Sequence, residues 1–174
     1  MKVLQNIKIA LRRLMIRRNH SDSDAAKASY VDLTRTLIKC ALDNSKWKYQ
    51  FDKDEDCFYG TLSVDDATEV LLALKPLANC IQAQATVMRR YVDSLKLTDA
   101  LLFCNKWNSK SLFPKAYIED CKNQLVGETV MTFDENADEE FIRECLLASL
   151  FDACIAWGKE VCESGLLTGS ISDS

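Results

Sequence analysis

Apolar residues recur at helical spacing in some stretches of the chain and alternate with polar ones in others, and the order of these stretches predicts the architecture. Ala26, Tyr30, Leu33, Leu37 and Ala41 form one helical stripe, widened by Val31, Ile38 and Leu42. Ser23 or Asp24 can cap its start, and Asn44 and Ser45 end it. Trp47, Tyr49 and Phe51 then alternate with Lys48 and Gln50, the period-two pattern of a half-buried strand. Residues 57–64 and 69–74 read as further strands, with Asp65-Asp66 as a turn and Pro76 predicting a bulge or loop. Within 80–92, Ile81, Ala83, Ala85 and Val87 alternate with Gln82, Gln84, Thr86 and Met88, and this alternation outweighs the helix propensity of Ala and Gln. A helix from Leu95 or Thr98 to Trp107 is expected to bury Leu97, Leu101, Cys104 and Trp107, with Leu102 and Phe103. Strands at 115–119 and 124–133 flank a four-residue hairpin loop. A long last helix, with Asn136 and Glu139 as a capping box, ends at Gly165. The fold class expected is α+β: an antiparallel sheet of five to six strands with three helices packed mainly on one face, in the order α-β-β-β-α-β-β-α.

Ahead of this pattern, residues 2–18 predict an amphipathic basic helix. Val3, Leu4, Ile7, Leu11, Leu14 and Met15 form its stripe, and Lys8, Arg12, Arg13, Arg17 and Arg18 are candidate contacts to an anionic surface. The first 20 residues carry six basic groups and no acid, although the whole chain has 22 basic against 26 acidic residues. The remainder is therefore acidic enough to repel phosphates over most of its surface, and nucleic acid is not an expected partner. Three readings of the arm stay open: lying on a membrane, docked on its own domain or a partner, or a disordered start. The organisation expected is 1–24 as basic arm and linker, 25–163 as one domain, and 164–174 as a flexible tail.

Composition adds exclusions. One histidine, His20, sits in a polar linker, so neither a catalytic triad nor a multi-histidine metal site is expected. Five glycines include no phosphate-binding motif. Eight cysteines include no CxxC pair, and several fall on apolar helical stretches, which predicts reduced, mostly buried thiols. Asp52, Asp54 and Asp56 mimic the start of a calcium loop, but Cys57 and Ser63 stand where that loop needs Gly and Glu, so a solvated hairpin turn is expected. No catalytic residue, cofactor or metal ligand is assigned, and the chain is not expected to be an enzyme. Leu147, Leu150, Cys154 and Trp157 give the last helix more apolar circumference than one sheet face needs, which marks them as a candidate partner or dimer surface.

The most distinctive string is Cys104-Asn105-Lys106-Trp107-Asn108, followed by Phe113-Pro114-Lys115-Ala116-Tyr117. This NxWN helix end leading into an FPKAY strand resembles the YbjN-domain family, and the resemblance covers roughly residues 25–162. It implies a fold like that of the type III secretion chaperones, peptide binding, homodimer formation and a role as a cytoplasmic regulator or chaperone-like protein. Asn105, Trp107, Asn108, Phe113 and Pro114 are expected to fix a helix-to-strand corner, the amides satisfying free backbone groups and the indole N–H finding an acceptor. The function expected is a non-enzymatic protein- or peptide-binding adaptor. The alternatives are a peripheral membrane protein held by the basic arm, and an enzyme of unrecognised type.

Overall fold

The computed structural model describes residues 23–45, 47–88, 90–119, 123–134 and 136–168, and for 23–27 the backbone alone. The basic arm, with Lys8, Arg12, Arg13, Arg17 and Arg18, lies outside the described residues, as do residues 169–174.

Helix α1 (Ser23–Ser45) buries Leu37, Ile38, Ala41 and Leu42, the stripe its spacing predicts. Strands β1 (Tyr49–Asp52), β2 (Cys57–Asp65), β3 (Thr68–Leu77) and β4 (Cys80–Val87) follow, then the short β5 (Tyr91–Val92) and a 3-10 turn (Ser94–Lys96). Helix α2 (Leu97–Lys110) leads into strands β6 (Lys115–Glu119) and β7 (Gln124–Thr132). Helix α3 (Glu139–Phe141) continues through a π-helical segment (Ile142–Leu147) into α4 (Ala148–Glu163), and β8 (Leu167–Thr168) closes the described chain. Six strands form one sheet in the order β1-β2-β3-β4-β7-β6, every neighbouring pair antiparallel.

The turns between hairpin strands are set by residue type. Asp56, Asn79 and Asn123 take φ of 53°, 56° and 48°, the left-handed conformation that Asp and Asn tolerate better than other side chains carrying a Cβ. Asp56 is also gripped from outside, since Arg35 of α1 donates through Nε at 2.5 Å and through Nη2 at 2.7 Å to its two carboxylate oxygens. That fork ties the β1–β2 turn to α1, and the two hydrogen-bonded carboxylates, Asp56 first, push the guanidinium pKa up against the opposing effect of burial.

Register then decides the core. Leu72 of β3 faces Gly60 on one side and Ala85 on the other, Ala85 faces Gly127, and Gly127 faces Ala116. Flanking rows set Phe58 by Leu74 and Ala83, and Leu62 by Val70 and Val87. α1 and α4 pack on this face, and α2 covers its β6 margin. The opposite face carries Tyr59, Ala73, Gln84 and Glu128, one residue out of phase, and no described helix covers it.

Several expectations need correction. Pro76 does not interrupt β3. It is buried opposite Ile81, and the pairing of β3 with β2 has already ended at Leu74, so its missing N–H falls where β3 is an edge. The last helix is capped by Asp138, whose side chain accepts from Phe141 N at 3.0 Å, rather than by Asn136, since the chain turns helical only after Asp138. The stretch from 164 does not begin as a loose tail: Leu166 is buried, and β8 pairs with β5 through Tyr91–Thr168 and Val92–Leu167. Gly165, at φ 68°, makes the turn that allows this.

The largest correction concerns Leu147, Leu150, Cys154 and Trp157, expected on a partner surface. All four are core residues, exposed by no more than 1%. In the π segment, hydrogen bonds closing five residues apart bring Ile142 and Leu147 to the same side, and both are buried. The wide apolar circumference therefore serves two neighbours, α1 against the π segment and the sheet against α4.

The contact between α4 and the sheet is tight at Gly158. A Cβ there would lie 2.4 Å from Val70 Cγ2 and 3.1 Å from Val64 Cγ2. Gly158→Ala is expected to lower stability by about 1–3 kcal/mol, despite a helix-propensity gain of about 1 kcal/mol for Ala over Gly. The urea midpoint of unfolding reads this directly, and an unchanged or raised midpoint would show that β3 yields freely.

Candidate functional site

The described residues hold no group of three or more His, Cys, Asp or Glu side chains that could bind a metal ion. The seven cysteines described are free thiols; Cys57, Cys104 and Cys154 are buried, whereas Cys145 is exposed. Burial pushes the Cys154 thiol up to about 12 and raises those of Cys57 and Cys104, which leaves these sulfurs protonated and unreactive at neutral pH.

The uncovered sheet face carries one polar cluster that the sequence reading missed. Gln82 Nε2 donates to Glu128 Oε1 at 3.1 Å, Gln84 Nε2 to Glu128 Oε2 at 2.8 Å, and Tyr117 Oη to Glu128 Oε2 at 3.0 Å. Burial works to raise the Glu128 pKa, but hydrogen bonds from Gln84, Gln82 and Tyr117 outweigh it and hold the carboxyl below its usual range. Burial, then the bond to Glu128, raise Tyr117 to about 12. A carboxylate so supplied with donors stays ionised and is a poor proton shuttle near neutrality.

Glu128, with its folded pKa depressed, contributes stability that is complete above the ordinary glutamate pKa of about 4.3 and fades as pH falls through the lower folded value. Tyr117 contributes below about 10, and its part is lost as pH rises toward about 12. Glu128→Gln is expected to flatten the acid side of a plot of urea midpoint against pH. The same acid slope in variant and wild type would refute the assignment.

The NxWN–FPKAY string forms a corner between α2 and β6. Trp107, 6% exposed, donates from Nε1 to the Pro114 carbonyl at 2.6 Å. Asn108 grips Ala116 at both backbone groups: Nδ2 donates to its carbonyl at 2.9 Å, and Oδ1 accepts from its N–H at 2.7 Å. These groups lie on the outer edge of β6, so the amide occupies the place another strand would take. Lys115 Nζ reaches back to the Asn108 and Ser111 carbonyls at 3.0 and 2.7 Å, binding the free acceptors at the helix end. Pro114 is buried against Gly127, where a Cβ would lie 2.9 Å from Pro114 Cγ and 3.1 Å from Trp157 Cε2. Asn105 is exposed and Phe113 is 39% exposed, so these two lie at the corner's outer side.

With Trp107 tethered, the rotation of α2 is fixed, and its buried row is Ala100, Cys104 and Trp107. Leu97, Leu101 and Leu102, expected on the buried side, are instead 43%, 52% and 60% exposed. The helix sits at the margin of the sheet, where one row of contacts is all that β6 offers. Leu95 before the helix and Leu112 after it are 92% and 88% exposed. Hydrophobic spacing could not separate these leucines from core; that two of them fall outside the helix proper was the available signal.

A sequence model of the YbjN family, described as "putative bacterial sensory transduction regulator", matches residues 34–160. The chain belongs to this family. The YbjN match starts within α1 and ends within α4, and so spans the whole six-stranded sheet and the Trp107–Asn108 corner. A crystal structure of YbjN from E. coli, called "a putative transcription regulator", is similar in fold, with a TM-score of 0.65 at 14% identity over 78% of this chain and 96% of that one. No curated protein is a significant sequence match. Among the described residues, no helix is long and apolar enough to cross a membrane.

Proposed function

We propose that this chain is a non-enzymatic protein-binding module of the YbjN family, a chaperone-like adaptor or regulator that holds a polypeptide on the outer side of α2. The observation that carries this reading is the set of exposed leucines, Leu95, Leu97, Leu101, Leu102 and Leu112, along one helix and its two flanks. Isolated surface leucines need no explanation, but several on one short helix are the usual mark of a contact surface. The reading includes a cytoplasmic setting, which the free thiols favour, and a homodimer.

Leu101→Glu/Leu102→Glu is the discriminating variant, because both positions are open to solvent and their charge costs the fold little. Affinity purification with mass spectrometry is expected to recover a partner with the wild type and to lose it with the variant, at an unchanged thermal midpoint. Equal recovery from both would sink the reading. Sedimentation of the wild type is expected at the mass of a dimer, and a strict monomer would remove the homodimer from it.

A further inference from the structure

The apolar side of α2 lies in a cationic stretch of a domain that is acidic as a whole. Between residues 94 and 115 stand Lys96, Lys106, Lys110 and Lys115 against a single acid, Asp99, whereas 21–174 as a whole is dominated by Asp and Glu. The environment of each lysine decides how much of this charge is available. Lys110 is met by Glu160. Lys96 donates to the Gly165 carbonyl at 2.6 Å, and Lys115 to the two carbonyls at the end of α2, acceptors that carry no net charge. Lys106 is exposed one helical turn beyond Leu102. Positive charge thus remains at Lys96, Lys106 and Lys115, all exposed, and together with the exposed leucines they make this stretch a mixed basic and apolar ridge.

Charge separates the possible occupants. The basic arm of residues 1–20 has the same sign and is repelled. A second copy pairing α2 against α2 about a two-fold axis would set lysines facing lysines. Nucleic acid would leave the leucines unused and would meet the acidic remainder of the domain. An anionic lipid surface matches the ridge but repels that same acidic remainder. A segment that is both apolar and acidic, and narrow enough to touch the ridge alone, satisfies both features.

Resting on the reading of α2 as a polypeptide interface, we infer that its occupant is an acidic amphipathic segment of another protein, with apolar side chains against Leu97, Leu101 and Leu102 and carboxylates reaching Lys96, Lys106 and Lys115. The leucines supply attachment, and the lysines select the sign of charge and speed the encounter.

The test uses the full chain and two synthetic helical peptides with leucines at i, i+3, i+4 and i+7, one with glutamate at the remaining positions and its twin with lysine. Fluorescence anisotropy is expected to show the glutamate peptide binding at least about ten-fold more tightly than the twin, and weakening several-fold as salt rises from about 50 to about 300 mM. Lys96→Glu/Lys106→Glu is expected to erase the preference, and Leu101→Glu/Leu102→Glu to abolish binding. Equal affinity for the two peptides, no binding of the glutamate peptide, or a preference that survives Lys96→Glu/Lys106→Glu would each overturn the inference. So would flotation with roughly 7:3 phosphatidylcholine–phosphatidylserine vesicles that Leu101→Glu/Leu102→Glu prevents, which would assign the ridge to lipid, or a dimer dissociated by that variant, which would assign it to a second copy. If that variant loses its partner while the two peptides bind alike, the interface stands and only the acidic character falls.

Discussion

Trp157→Ala is expected to lower stability by about 3–5 kcal/mol, the usual range for removing a large aromatic side chain from a packed interior. Trp157 is fully buried, and its ring lies against Gly127, where a Cβ would come within 3.1 Å of Cε2. The site cannot close after truncation, because Gly127 belongs to β7 and is held between Ala85 and Ala116 by the ladder on both sides. A typical domain has about 5–15 kcal/mol to lose, so the variant should be marginal, and guanidinium unfolding at low temperature is the suitable measurement. Trp157→Phe is expected to cost clearly less. The Nε1 of Trp157 is buried with no hydrogen-bond partner among the described residues, and phenylalanine removes that unsatisfied donor together with part of the ring. A residue on a partner surface would behave otherwise, leaving the unfolding midpoint in place and weakening only association. An unchanged midpoint for Trp157→Ala would therefore restore the surface assignment that the burial contradicts.

The second large effect is expected at Asn108. Asn108→Ala removes both bonds to Ala116 and leaves one N–H and one carbonyl of an edge strand without their partners. At about 1–3 kcal/mol for each polar group left unsatisfied, and with the site only partly buried, a loss of about 2–4 kcal/mol is expected. Amide hydrogen exchange at Ala116 should accelerate more than elsewhere in β6, and the bared edge should raise the tendency to aggregate. Asn105→Ala serves as control, since Asn105 is exposed and its replacement should stay within about 0.5 kcal/mol. Equal effects at the two positions would refute the edge-sealing role of Asn108.

The elements were legible where the pattern has one cause. In β4, the alternation of Ile81, Ala83, Ala85 and Val87 with polar residues outweighed the helix propensity of Ala and Gln, and the strand forms with those four side chains buried. The stripe of α1 was equally plain, since Leu37, Ile38, Ala41 and Leu42 fall on it and are buried. Legibility failed where orientation depends on a distant contact. In α2 the most apolar positions are exposed, since the rotation follows from the bond between Trp107 and Pro114 and from the single row that β6 presents. In the last helix, a π turn and a second packing neighbour account for apolar residues that appeared to be in excess. Of the candidate site, the corner string was visible as a motif, whereas the exposed leucines of α2 look in sequence like any core stripe. The Tyr117–Glu128 cluster needs the register of three strands, which no local pattern carries.

The strand order has a consequence for synthesis on the ribosome. β1 to β4 are consecutive and joined by tight turns, so they can pair as they emerge, but the free side of β4 waits for β7, which begins only at Gln124. At about 5–20 residues translated per second, that flank stays open for some seconds in the nascent chain. A newborn molecule is therefore most vulnerable to a stray neighbour along Gln82–Thr86, and slowing translation between residues 88 and 123 should lower the soluble yield more than slowing it elsewhere.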